Sequence, residues 1–125
     1  MKVSELSGAL LDYWVARALG YSSVQDLERR SGLCIVDGDG YQTKDWSPSR
    51  DWTQGGPIIE RERIMIVPAG YNGDPEHEWM AGDEECWTKF RQPRWRGPTP
   101  LVAAMRAFVS RKFGDEVEDL PRDTN

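Results

Sequence analysis

Two groups of side chains in this sequence combine residue types that could do chemistry. Trp46, Asp51, Trp52 and Gln54 form one, and Trp95, Arg96 and Arg106 the other. In the first, a carboxylate, an amide and the pair Gly55-Gly56 accompany two indoles. Such a set brings backbone close to a ligand while an indole stacks on it. The plainer reading has Trp46 and Trp52 plugging a sheet edge and the glycines serving a turn. A long, specifically patterned loop keeps the functional reading open. In the second group, Trp95 and Arg96 lie near Trp87, Arg91 and Arg94. Alternation of this kind stacks on and neutralises a nucleotide, and it also arises from the two faces of an edge strand. Arg106 falls on the flank of a helix beside Val102 and Phe113, so its guanidinium needs a carboxylate or carbonyl partner. Asp51 and Glu60 are the candidate partners. Paired, Arg106 is a structural salt bridge; facing a cavity, it is an anion clamp for phosphate or carboxylate.

No recognisable catalytic or metal-binding pattern accompanies these residues. His77 is the single histidine, with no nucleophile elbow near it, and reads as a surface-loop residue. Cys34 and Cys86 lack the paired spacing of a zinc site. Asp37 and Asp39 resemble a calcium loop only superficially, because the third acid, the glycine position and the distal Glu are missing. A hairpin turn is the better reading. Glu60 with Glu62, and Glu84 with Glu85, are ordinary solubilising charges. No catalytic residue, metal or cofactor is therefore expected. A small hydrolase using Asp51 or Glu60 as base is the remote enzymatic alternative.

The elements that must position these residues begin with a C-terminal helix. Thr99 suits its N-cap, Pro100 its first position and Gly114 its stop, with Leu101, Met105, Phe108 and Val109 at helical spacing. A second helix is predicted from about Ser7 to Leu19, stopped by Gly20, with core face Leu10, Leu11, Trp14 and Ala18 and with Asp12 off the stripe. Ser22 and Gln25 match the capping-box spacing of a short third helix. Leu33–Val36 reads as a strand leading to the turn Asp37–Gly40 and Tyr41. Lys44–Pro57 reads as a structured loop, Pro57 opening one or two helical turns. Strands are expected at Arg63–Val67, His77–Ala81 and Cys86–Arg91, a loop at Tyr71–Glu76, and a connection closed by Trp95. The fold class is α+β: a small antiparallel sheet of about 3–5 strands packed with an N-terminal and a C-terminal helix. Residues 1–114 form one domain, and 115–125 an acidic, frayed tail.

The 125 residues suffice for one core without metal or disulfide. The net charge of −5 argues against tracking a phosphate backbone, so nucleic acid is an improbable partner. Two unmatched cysteines fit a reducing cytoplasm. No stretch approaches the roughly 20 apolar residues of a membrane span, and no signal peptide is evident. The six tryptophans either build the core or form an adhesive surface.

Three blocks carry a family resemblance: Glu5–Asp12, Trp46–Glu62, and Gly97–Arg106 continuing to Lys112–Val117. Their order and spacing resemble the NinX-like family of small proteins from tailed phages and prophages. The long middle block makes the match specific, whereas Tyr21–Asp45 diverges and nothing is carried over there. The resemblance implies a phage origin, a bacterial host cell as location, and the fold. It supplies no activity, cofactor or catalytic residue. The leading expectation is a non-enzymatic accessory protein that binds a host or phage protein through Trp and Arg hot spots. The alternative is sequestration of a small anionic metabolite or nucleotide signal between subunits of a homo-oligomer.

Overall fold

Helix α4, Pro100–Phe113, is the element around which the rest is built. The Thr99 hydroxyl accepts a hydrogen bond from the Val102 N–H at 3.1 Å, and Pro100 occupies the first turn, where its missing N–H costs nothing. Gly114, at φ +91°, ends the helix. Leu101–Met105 and Ala107–Val109 are all buried, more than a one-sided stripe would give. Ala103, Ala104 and Ala107 make that possible, because small side chains let neighbouring backbones approach. Helices α1 and α2 and strands β4, β5 and β6 all pack on α4. The computed structural model describes residues 1–27, 32–68, 78–89 and 94–118.

Helix α1, Gly8–Leu19, ends at Gly20 in the left-handed region, as its sequence predicts. Its buried face is Leu11, Asp12, Trp14, Val15 and Ala16, while Leu10 and Ala18 are only half-buried. Asp12, expected off the core stripe, is therefore inside it. A single-turn 3-10 segment at Val3–Glu5 precedes α1 and delivers Val3 and Leu6 to the core beside Phe108.

The class is α+β, with the strands divided between two antiparallel sheets of three. One contains β1 (Ser22–Leu27), β2 (Gly32–Val36) and β3 (Gln42–Trp46); the other contains β4 (Met65–Val67), β5 (Trp79–Gly82) and β6 (Trp95–Gly97). The β2–β3 turn is the one expected: the Asp37 carboxylate accepts from the N–H groups of Asp39 and Tyr41.

Several expectations are corrected. The capping-box spacing at Ser22 and Gln25 does not start a helix, because Ser22–Leu27 pairs with Gly32–Val36 instead. Lys44–Pro57 is not a loop: it contains the end of β3 and most of helix α2, Trp52–Glu62. Arg63, expected to open a strand, is the left-handed residue closing α2, and β4 begins at Met65. Of the strand expected at Cys86–Arg91, the described part, Cys86–Lys89, falls instead in and just after the single helical turn α3, Glu85–Thr88, at whose start the Asp83 carboxylate accepts from the Glu85 N–H at 3.0 Å. Trp95 lies not in a connection but in β6. Just past Gly114, the Asp115 carbonyl accepts from the Val3 N–H, Val117 N–H donates to the Met1 carbonyl, and Val117 is buried. His77, Arg91 and the loop expected at Tyr71–Glu76 lie outside the described residues.

Of the tryptophans, Trp14, Trp46 and Trp95 are core residues and Trp79 packs against the core, whereas Trp52 is half-exposed. The indoles therefore serve mainly to build the interior. No helix among the described residues is long and apolar enough to cross a membrane.

Candidate functional site

The structure separates the two groups of candidate residues. The first forms a framework. Trp46 donates its indole N–H to the Asp12 carbonyl at 2.9 Å. Asp51 caps α2, accepting from the Thr53 N–H at 2.9 Å and the Thr53 hydroxyl at 2.7 Å. Gln54 accepts from the Ser47 N–H at 2.6 Å, closing the turn that leads into α2. Gly55 lies where any Cβ would overlap the Pro48 carbonyl oxygen and sit 2.7 Å from Leu101 Cδ2. Gly55 thus serves close packing of the Pro48 turn against α4, whereas a Cβ at Gly56 would meet nothing nearer than the Trp52 ring at 3.8 Å. Trp52 stands apart, half-exposed over Gly56.

Asp12, which sequence reasoning passed over, ties this framework together. Its side chain is fully buried and accepts from the Ser49 N–H at 2.8 Å, with the Arg50 guanidinium 3.9 Å from its other oxygen. Burial raises its pKa above the ordinary carboxylate value, while hydrogen bonding from Ser49 and the charge of Arg50 pull the other way. An isolated acid on an otherwise apolar helix face was the available signal, since a buried carboxylate needs a built partner.

Trp95, Arg96 and Arg106 converge on a single cavity of about 530 Å³. Strand β6 presents Trp95 inward and Arg96 outward, and α4 brings Arg106 to the same edge. Arg106 pairs with neither Asp51 nor Glu60. Its Nε donates to the Leu6 carbonyl at 2.9 Å and its Nη1 to the Arg96 carbonyl at 2.6 Å. Two neutral acceptors satisfy N–H groups without cancelling the charge. Burial lowers the Arg106 pKa from its ordinary value, and the nearby Glu78 charge opposes that.

Among the described residues, Lys2, Ser4, Glu78, Arg94, Asp115 and Glu116 also line the cavity. Lys2 and Glu116 face each other across an antiparallel bridge. The Arg94 guanidinium lies 4.8 Å from the centre of the Trp95 ring and bonds Asp115 at 3.0 Å. A second cavity of about 260 Å³ shares Arg94, Trp95 and Asp115 with the first. Apart from Arg94, sequence reasoning missed these additional residues. They come from segments remote in the chain and carry no local pattern. Among the described residues, no group of three His, Cys, Asp or Glu side chains is placed to hold a metal ion.

All three sequence blocks meet in this architecture. Asp12 of the first holds Ser49 of the second, and Gly55 of the second abuts Leu101 of the third. The family model described as Bacteriophage P22, NinX matches residues 2–112. The chain belongs to the NinX family. No curated protein matches it. The NinX match spans Lys2, Glu78 and Arg94–Arg106 of the cavity, while Asp115 and Glu116 lie beyond it. In this NinX protein, then, the middle block is first a folding framework, and the described lining of the cavity comes from other parts of the chain.

Proposed function

We propose that this phage protein is a non-enzymatic binding module, acting in the bacterial cytoplasm, that holds a small anionic ligand in the Arg96–Arg106 cavity. The observation that supports this reading is the convergence of an indole, Arg96 and Arg106 on one concave space. Both Arg106 hydrogen bonds go to carbonyls, so its positive charge, with Glu78 nearby, is not neutralised by a direct carboxylate contact.

The test is an NMR titration with acetate, inorganic phosphate and adenosine monophosphate, read at the Trp95 indole and the Gly97 amide. At least one of these anions should shift both signals, and Arg96→Gln should weaken that binding about tenfold without unfolding the domain. Unmoved signals for all three would remove the proposal.

A second reading rests on a different surface. Trp52 is 52% exposed and Tyr41 70%, and exposed aromatics are favoured anchors for a host or phage protein. Under this reading Trp52→Ala abolishes partner binding while leaving the Arg96–Arg106 cavity intact.

A further inference from the structure

The cavity carries both signs of charge, and cancelling the groups already paired shows what remains. Arg94 is taken by Asp115 at 3.0 Å. Lys2 and Glu116 are cross-strand neighbours, so their opposite charges lie close together and add little net charge to the cavity without forming an ion pair. Arg96, Arg106 and Glu78 are left. Arg96 is exposed, and Arg106 is held by the Leu6 and Arg96 carbonyls rather than by a carboxylate.

Strand register places the remaining acid. Trp79 pairs with Gly97 and Met80 with Arg96, so Glu78 lies two residues before Met80 on the sheet face that bears Arg96. Diagonal neighbours of this kind stand about 7–8 Å apart along the sheet, within reach of long side chains and close enough to share one small ligand. A purely anionic ligand would be drawn to the guanidiniums and repelled by Glu78. A polyphosphate would meet that repulsion several times over. A ligand bearing one acid group and one amine answers both walls.

We infer that the cavity's ligand is a zwitterion of the amino-acid or short-peptide class, its carboxylate toward Arg96 and Arg106 and its amine toward Glu78. This rests on the cavity being a ligand site, and the volume of about 530 Å³ is in the range that encloses a small molecule.

Four probes separate the possibilities: trialanine with both ends free, N-acetyl-trialanine, trialanine amide and inorganic phosphate. Dissociation constants are read by NMR at the Trp95 indole and the Gly97 amide of the full chain. Free trialanine should bind about tenfold more tightly than either capped form, one charge-assisted contact being lost in each. Glu78→Gln should abolish the advantage of free trialanine over N-acetyl-trialanine and should tighten N-acetyl-trialanine itself. Glu78 is exposed, so the variant should fold; Arg96→Gln, also at an exposed position, should weaken free and N-acetyl peptide together. Equal or tighter binding of N-acetyl-trialanine or phosphate to the native chain would overturn the zwitterion and leave a simple anion site. No response to any probe would overturn the ligand site along with it.

Discussion

The carboxylate of Asp12, fully buried on helix α1, accepts the Ser49 N–H at 2.8 Å and thereby fastens the turn that precedes α2. The arrangement has a pH signature. Burial raises the folded pKa of Asp12 above the ordinary 3.8, so the folded state binds this proton more tightly than the unfolded one. Its contribution is most favourable below pH 3.8 and declines as pH rises through the folded pKa. An Asp12→Asn variant keeps a side-chain acceptor for the Ser49 N–H and does not titrate. The variant should therefore gain stability relative to the native chain as pH is raised from about 3 to 7. Urea unfolding at a series of pH values measures the difference, and a constant difference would contradict the assignment.

Gly55 makes a second prediction. A methyl group there would overlap the Pro48 carbonyl and press on Leu101 Cδ2, and a backbone oxygen cannot step aside as a side chain can. Gly55→Ala should destabilise by about 1–3 kcal/mol despite its better helix propensity. At Gly56 a Cβ meets nothing nearer than the Trp52 ring at 3.8 Å, so Gly56→Ala should be neutral or stabilising by up to about 1 kcal/mol. The two melting curves, compared directly, decide whether close packing is why Gly55 stands in this block.

For Arg106 the geometry of the donors matters as much as the charge. Lysine would keep a cation but could not span the carbonyls of Leu6 and Arg96 in the same way. Arg106→Lys should cost about 1–3 kcal/mol by denaturant unfolding, from the loss of charge-assisted hydrogen bonds. Unchanged stability would show that the two carbonyl contacts contribute nothing in solution.

The Arg94–Asp115 pair should behave differently. Its side chains are 64% and 65% exposed, so water competes for both charges. Asp115→Asn should change stability by less than about 1 kcal/mol. It should also release the Arg94 charge beside Trp95, and binding of N-acetyl-trialanine should strengthen, most visibly at low salt. A loss of binding would place Asp115 in direct contact with the ligand.

How much of this could be read beforehand depends on how local each cause is. Thr99, Pro100 and Gly114 act within a turn of their own helix, and α4 was legible to the residue. Gly20 marked the end of α1 for the same reason. At Ser22 and Gln25 a capping pattern was present, but pairing with Gly32–Val36 overrode it, and pairing is a tertiary cause. In Trp52–Glu62 the two glycines and Pro57 suggested a loop. They are tolerated in a helix because Asp51 caps its start and because the approach of Pro48 and Leu101 leaves no room for a side chain at position 55. Asp83 could have signalled the α3 turn, although a turn this short has little periodicity to detect.

The site was legible only in its strand-and-helix half. Trp95, Arg96 and Arg106 were recognisable from residue type, and the structure brings them together. Asp51, Trp46 and Gln54 belong elsewhere, their polar atoms committed to helix capping, to α1 and to the Ser47 turn. Glu78, Lys2 and Glu116 could not have been added, because only the β5–β6 register and the pairing of the two ends of the fold place them there.

That pairing also has a bearing on synthesis. Val3 and Leu6 reach their places against Phe108 only once helix α4 exists, and Arg106 can secure the Leu6 carbonyl no earlier. A ribosome emitting this chain from its first residue therefore releases Leu6, Leu11 and Val15 long before their burial is possible. Completion of the interior therefore waits for the synthesis of α4 and is slowed by the long loop it must close.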